Sequence, residues 1–153
     1  MVALKGYRGY VFSRPFFGHR IPQHIQNTVI REYCKRNEIY FLMSVTEYTM
    51  ESSHLMLNKV VRQIADIDGL VFYSIFQLPY KNTDRRRIVS QILDASRTMH
   101  FASEKLILNN EEDAAQIELM LEVEKCLPSC PSVEDMAYLL SNSGTNISDR
   151  GPN

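Results

Sequence analysis

Residues able to do chemistry recur at the ends of apolar runs. Ser13 and Arg14 follow the first run, Glu47 and Tyr48 the second, Ser74 to Gln77 close the third, and Ser103 and Glu104 end a fourth. A serine hydroxyl there could act as a nucleophile, and a glutamate as a general base or an acceptor for sugar hydroxyls. Ser13 and Glu47 are the candidate catalytic residues, Ser13 as a nucleophile or only as a ligand contact, with Arg14, Tyr48, Ser74, Gln77 and Glu104 as ligand contacts at the same ends. His19, Arg20, Gln23, Gln26 and Asn27 could present donors to a hydroxylated or anionic ligand near a helix start. Arg85, with Arg86 and Arg87, puts cations in a first helical turn, where they oppose the macrodipole unless an anion accompanies them. Each group also has a plainer reading: Ser13 as a turn cap, Arg14 and the arginine run as solvated charges, Glu47 as a loop carboxylate in water. His100 reads as a core histidine, and Tyr73, Phe76 and Tyr80 either stack on a ligand or pack the core.

The elements that must position these groups are read from periodicity. Tyr7–Ser13 (YRGYVFS), Glu38–Val45 (EIYFLMSV) and Asp68–Ile75 (DGLVFYSI) are aromatic and β-branched and lack apolar/polar alternation. Each predicts a strand covered on both faces, as in a parallel sheet, and ligands of such sheets bind beyond the carboxyl ends of the strands. A helix is predicted over 22–37, with Pro22 at its first position, Ile25, Val29, Ile30 and Tyr33 buried, and Gln23, Gln26, Asn27 and Arg31 on other faces. Ser52 reads as the N-cap of a helix carrying Leu55, Leu57, Val60, Val61 and Ile64. Another helix over 84–96 buries Ile88, Val89, Ile92 and Leu93. Thr98–Ala102 and Lys105–Leu108 follow as short strands, then a helix over 111–127 ended by Pro128 and Pro131, then a weaker one over 133–140. The expected organisation is an α/β domain over 1–108, a helical extension over 109–140 and a disordered tail over 141–153.

Composition narrows the function classes. The chain has 153 residues, 44% hydrophobic and 23% charged, with net charge −1, so nothing in its overall balance calls for a nucleic-acid partner. No apolar run is long enough to cross a membrane and no signal-peptide pattern opens the chain, so a cytoplasmic protein without a membrane partner is expected. Three cysteines form neither a disulfide framework nor a metal-ligand spacing. No phosphate-cradling glycine motif is present, so no cofactor and no metal is expected.

Four segments together carry a resemblance. They are GYxxS over Gly9–Ser13, IPQxxQNxxIRxYC over Ile21–Cys34, IxxIDGLVFYSxxxLP over Ile64–Pro79 and ILxAxxxxHFASE over Ile92–Glu104. In this order they resemble the catalytic domain of serine recombinases. More closely they resemble the resolvase-like sporadic carbohydrate cluster proteins of bacterial surface-polysaccharide gene clusters. The resemblance covers roughly Lys5 to Leu108. It implies a three-layer α/β/α flavodoxin-like domain with a mostly parallel sheet of four or five strands in the order 2-1-3-4(-5). It also implies surface-carbohydrate biosynthesis as a setting, with no reaction attached.

The departures from the recombinase pattern matter as much. A serine recombinase places an arginine two residues before its nucleophile and an Asp-Arg-Leu-x-Arg motif after its third strand. Here Ser13 takes the nucleophile's place, but Val11 stands for the arginine, and Phe76, Gln77 and Tyr80 stand for the Asp and the two arginines. Valine, glutamine and tyrosine cannot replace guanidinium bonds to a phosphate, so recombination is not expected. After Leu140 the sequence reads as a polar tail, and no DNA-binding module is expected there.

The helix over 111–127 carries Ala115, Leu119, Met120, Val123, Cys126 and Leu127 on one side and Ile117 and Leu121 on the other, an arc too wide for one sheet face. The resemblance makes this the dimerisation helix, so a homodimer or higher homo-oligomer is expected. Two functions follow. The main reading is an enzyme acting on a sugar, sugar phosphate or nucleotide sugar at the sheet's carboxyl edge. The alternative is a non-catalytic assembly or regulatory module retaining a degenerate recombinase fold. A concave pocket gathering Ser13, Glu47, Gln77 and Glu104 favours the enzyme; a flat, dry strand edge favours the module.

Overall fold

In the computed structural model, residues 5–16, 18, 20–126 and 133–143 are described. Strands and helices alternate because parallel neighbours need a crossover between them. The order is β1 (Tyr7–Phe12), α1 (Gln23–Arg36), β2 (Val45–Glu47), α2 (Leu55–Arg62), β3 (Gly69–Phe72), α3 (Asn82–Asp94), β4 (Thr98–Phe101), β5 (Leu106–Leu108), α4 (Glu111–Cys126) and α5 (Val133–Ser143). The sheet runs β2-β1-β3-β4-β5, the expected order. β1 to β4 are parallel, and β5 closes one edge antiparallel to β4, with Met99 opposite Leu108 and Phe101 opposite Leu106. Two compact units result, Met1–Leu119 and Met120–Asn153. Among the described residues no helix is long and apolar enough to cross a membrane.

Successive side chains of a strand point to opposite faces, and the core divides accordingly. Val11 and Val71 pack with Ile30 and Cys34 of α1 and with Ala102. Tyr10, Phe72 and Phe101 stack with ring centroids 5.0 and 5.3 Å apart, on the side that also buries Leu57, Val60, Val61, Ile88 and Ile92 from α2 and α3. All four residues of β3 are buried, as its unbroken apolar run requires.

The second predicted strand is the main departure. Phe41 forms one bridge to Tyr7, and the ladder with β1 begins only at Val45. Between them the chain breaks step: Arg8 Nε donates to Met43 O at 3.2 Å, and Ser44 lies across Gly9, where any Cβ would run into its Oγ. Tyr40 and Met43 are exposed, because this segment borders the sheet instead of lying within it. β3 likewise ends at Phe72, and Ile75–Gln77 turn into a short 3-10 helix capped by Ser74.

The helices differ from expectation at their ends and at single polar positions. Pro22 precedes the first residue of α1, and the stripe that faces the sheet is Gln26, Ile30 and Cys34, while Ile25 is exposed. Ser52 sits in a loop at φ 60°, and α2 starts at Leu55, itself exposed. α3 begins at Asn82 and buries Arg85 with its apolar stripe. In α4 Ile117 and Leu121 are the buried pair, whereas Leu119, Met120 and Val123 are exposed. α5 runs to Ser143, three residues beyond its expected end. The predicted break at Pro128 and Pro131 and the tail from residue 144 lie outside the described residues.

Candidate functional site

Glu47 ends β2 with its side chain turned inward, 1% exposed. Its carboxylate accepts from Tyr10 Oη at 2.8 Å, Tyr48 N at 3.0 Å and Ser53 Oγ at 3.3 Å. It also accepts from Met56 N, at 3.1 Å for the shorter contact, and from Leu57 N at 3.1 Å. The last two are orphan donors of the first turn of α2, which has no side-chain cap from its own flank. A carboxylate from the neighbouring strand therefore caps the helix and meets the positive end of its dipole. Burial raises the Glu47 pKa, but the bonds from Tyr48, Tyr10, Leu57 and Met56 outweigh it, and the net displacement is below the ordinary value. Burial, followed by Glu47, pushes the Tyr10 hydroxyl well above its usual range. Both carboxylate oxygens face donors of the chain itself, a geometry for capping rather than for taking a substrate proton.

Arg14 performs the matching task on the other side of the loop. It is 7% exposed, its guanidinium carbon lies 4.2 Å from the Phe12 ring centroid, and Nη1 donates to the carbonyls of Tyr48, Met50 and Ser53 at 3.1, 3.0 and 2.7 Å. It makes no ion pair among the described residues. Ser13 Oγ donates to Glu47 O at 2.8 Å. Ser13, Arg14 and Glu47 thus tie the 48–53 loop to the ends of β1 and β2. Tyr48 is exposed and joins through its backbone alone.

Gln26 and Gln77, both 0% exposed, join α1 to the ends of β1 and β3. Gln26 Oε1 accepts from Phe12 N at 2.9 Å and from Gln77 Nε2 at 2.8 Å, and its Nε2 donates to Phe12 O and Ile21 O at 2.9 and 2.8 Å. Gln77 Oε1 accepts from Tyr73 N and Ser74 N at 2.9 and 3.3 Å. Gln26 has its full complement of four bonds, and together the amides do backbone work where the strands run out. Beside them Ser74 Oγ donates to Glu104 Oε1 at 2.6 Å, and Ile75 N donates to Oε2 at 3.2 Å.

The remaining expected contacts lie apart from this network. Arg20, Gln23 and Asn27 border an open cleft of about 620 Å³ with Ser13, and Glu47, Gln77 and Glu104 do not line it. His19 is outside the described residues. Arg85, 1% exposed, makes a bidentate pair with Glu118 (Nε to Oε1 2.7 Å, Nη2 to Oε2 2.8 Å) and donates through Nη1 to Pro79 O and Tyr80 O. It fixes the first half of α4 to α3.

Sequence reasoning passed over Tyr10, Ser53, His54 and Glu118. His54 Nε2 lies 3.3 Å from Gln77 O, and burial, then Arg14, lowers its pKa. A signal for Gln26 existed: it stands four and eight residues before Ile30 and Cys34, in the buried stripe itself. Nothing comparable marked Glu118, one carboxylate among several on α4.

No family model and no curated protein matches the chain. Among solved structures, a resolvase family site-specific recombinase from Streptococcus pneumoniae superposes with TM-score 0.57 at 7% identity, over 90% of this chain and 99% of that one. The N-terminal catalytic domain of TP901-1 integrase gives TM-score 0.50 at 13% identity, over 80% and 94%. The chain has the resolvase catalytic-domain fold. At these identities the likeness carries the fold alone. It overturns the expectation of an enzyme acting on a sugar, sugar phosphate or nucleotide sugar, since the similar structures are recombinase domains and not sugar-processing enzymes. The finer resemblance to carbohydrate-cluster proteins finds no support in these comparisons.

Proposed function

We propose that this chain is a non-catalytic assembly or regulatory module that retains the recombinase fold without recombinase chemistry. The observation carrying this reading is that the polar groups at the ends of β1, β2 and β3 are bonded to the chain itself. Where the resemblance calls for phosphate-gripping arginines stand Val11 and Gln77, both 0% exposed, and an exposed Tyr80. Gln77 is held by Gln26. Arg14 is turned onto three carbonyls of its own loop. Losing one preorganised donor to a transition-state oxyanion costs about 10²–10³ in rate, and several absent guanidinium contacts multiply that loss. Ser13 without them is a turn hydroxyl.

The test is incubation with supercoiled and with nicked duplex DNA, followed by denaturing electrophoresis for a protein–DNA adduct, in wild type and Ser13→Ala. The expected result is no adduct and no change of topoisomers in either. A covalent adduct lost in Ser13→Ala overturns the module reading.

A further inference from the structure

The outer face of α4 carries an exposed apolar stripe with acidic residues around it. At 100° per residue, Ala115, Leu119, Val123 and Cys126 fall within an arc of about 80°, opposite Ile117 and Leu121. Ile117 and Leu121 are 4% and 8% exposed, whereas Leu119 is 65% and Val123 52% exposed, with Met120 beside them at 39%. A helix already anchored by one apolar side has no folding reason to carry a second. Glu111 and Glu122 border one flank of this stripe, Glu112 stands at its N-terminal end, and Gln116 and then Glu124 lie beyond the other flank. Over its length α4 carries six carboxylates, of which Glu118 is paired with Arg85 and Glu122 lies 3.6 Å from the one lysine of the helix. α5, taken by itself, repeats the character: Tyr138 and Leu140 are exposed, with Glu134 and Asp135 in its first turn and no basic residue.

Charge decides among occupants. A second copy of α4 on the same stripe would set acidic borders against acidic borders, and like-charge juxtaposition across an interface costs several kcal/mol. Nucleic acid and anionic lipid are repelled for the same reason. A helix with apolar residues at i, i+3, i+4 and i+7 and lysine or arginine on both flanks satisfies stripe and borders together. We propose that α4 is the docking face for a basic amphipathic helix of a different protein. This inference rests on the module reading and names the chemistry of its partner.

The test uses two synthetic amphipathic peptides with the same leucine stripe, one flanked by lysines and one by glutamates. Binding is followed by fluorescence anisotropy, and sedimentation equilibrium reports the oligomeric state. The lysine peptide is expected to bind and the glutamate peptide not. Leu119→Asp with Val123→Asp should abolish binding, and Glu111→Gln with Glu122→Gln should weaken it roughly tenfold at low salt, with most of that difference lost at high salt. These positions are exposed, so melting temperatures of the variants should match wild type. Equal binding of both peptides, or of neither, overturns the inference. So does a stable dimer that Leu119→Asp dissociates, which would make a second copy the occupant. Neither result touches the module reading, which the DNA adduct assay judges separately.

Discussion

At the carboxyl ends of β1, β2 and β3 the polar side chains face inward, while along α4 an apolar stripe faces outward. The first region holds Glu47, Gln26 and Gln77 at 1% exposure or less; the second leaves Leu119 at 65%. In a catalytic α/β domain the opposite distribution serves: reactive groups reach solvent at the strand ends and apolar helix faces are covered. The inversion teaches that the polar groups at these strand ends are bonded within the fold, while the exposed apolar surface lies on the helix.

The largest effect expected from breaking this contrast is at Glu47. Glu47→Ala leaves the Tyr10 hydroxyl and the amides of Met56 and Leu57 without their acceptor, at a cost of about 3 kcal/mol or more in urea denaturation. Glu47→Gln keeps one acceptor oxygen and should lose less. A Glu47→Ala protein as stable as wild type would mean that the carboxylate is not structural, and the contrast would fail at its strongest point.

Next in size is the amide pair. Gln26→Ala removes four hydrogen bonds from a site at 0% exposure and should cost about 2–3 kcal/mol. A change below roughly 0.5 kcal/mol would show that this edge tolerates open polar groups, as a ligand site does.

Acidification should weaken the same region. Glu47 titrates below its ordinary value in the fold, so its contribution is present above the unfolded value and lost as pH falls. His54 and His100 also titrate below their ordinary value of 6.5, both chiefly through burial. The unfolded chain therefore binds more protons as pH falls through that value, and stability declines in the same direction. Melting temperature should drop between about pH 7.5 and about pH 5.5, less steeply in His54→Gln. A flat profile would contradict neutral histidines in the fold.

The smallest effect should be on α4, where Leu119→Asp is expected to change stability by no more than about 0.5 kcal/mol. A loss of several kcal/mol would show that the stripe is covered within the protein and would remove the second half of the contrast.

The strands and helices were legible because buried parallel strands and one-sided helices leave clear periods, and the sheet order was what the recombinase resemblance implied. β2 is shorter than its apolar run because the ladder with β1 holds only over Val45–Glu47, and an apolar run does not reveal where register is kept. Arg85 looked like its neighbours Arg86 and Arg87. Their difference arises from Glu118, a residue 33 positions away that meets the Arg85 guanidinium, and from the Pro79 and Tyr80 carbonyls that accept from it.

The sequence by itself determined the alternation of strand and helix, the missing guanidinium groups at Val11, Gln77 and Tyr80, and the two apolar sides of α4. The first and last follow from residue identity and local spacing, and the second from setting the same residues beside the recombinase pattern they resemble. Only the tertiary structure decided that Arg14 turns onto the 48–53 loop, that Glu47 caps α2, that Gln26 bonds Gln77, and which side of α4 is exposed. A polar side chain at a strand end can bond a ligand or its own chain. Which it does depends on donors and acceptors brought near by folding, and local sequence does not carry that information.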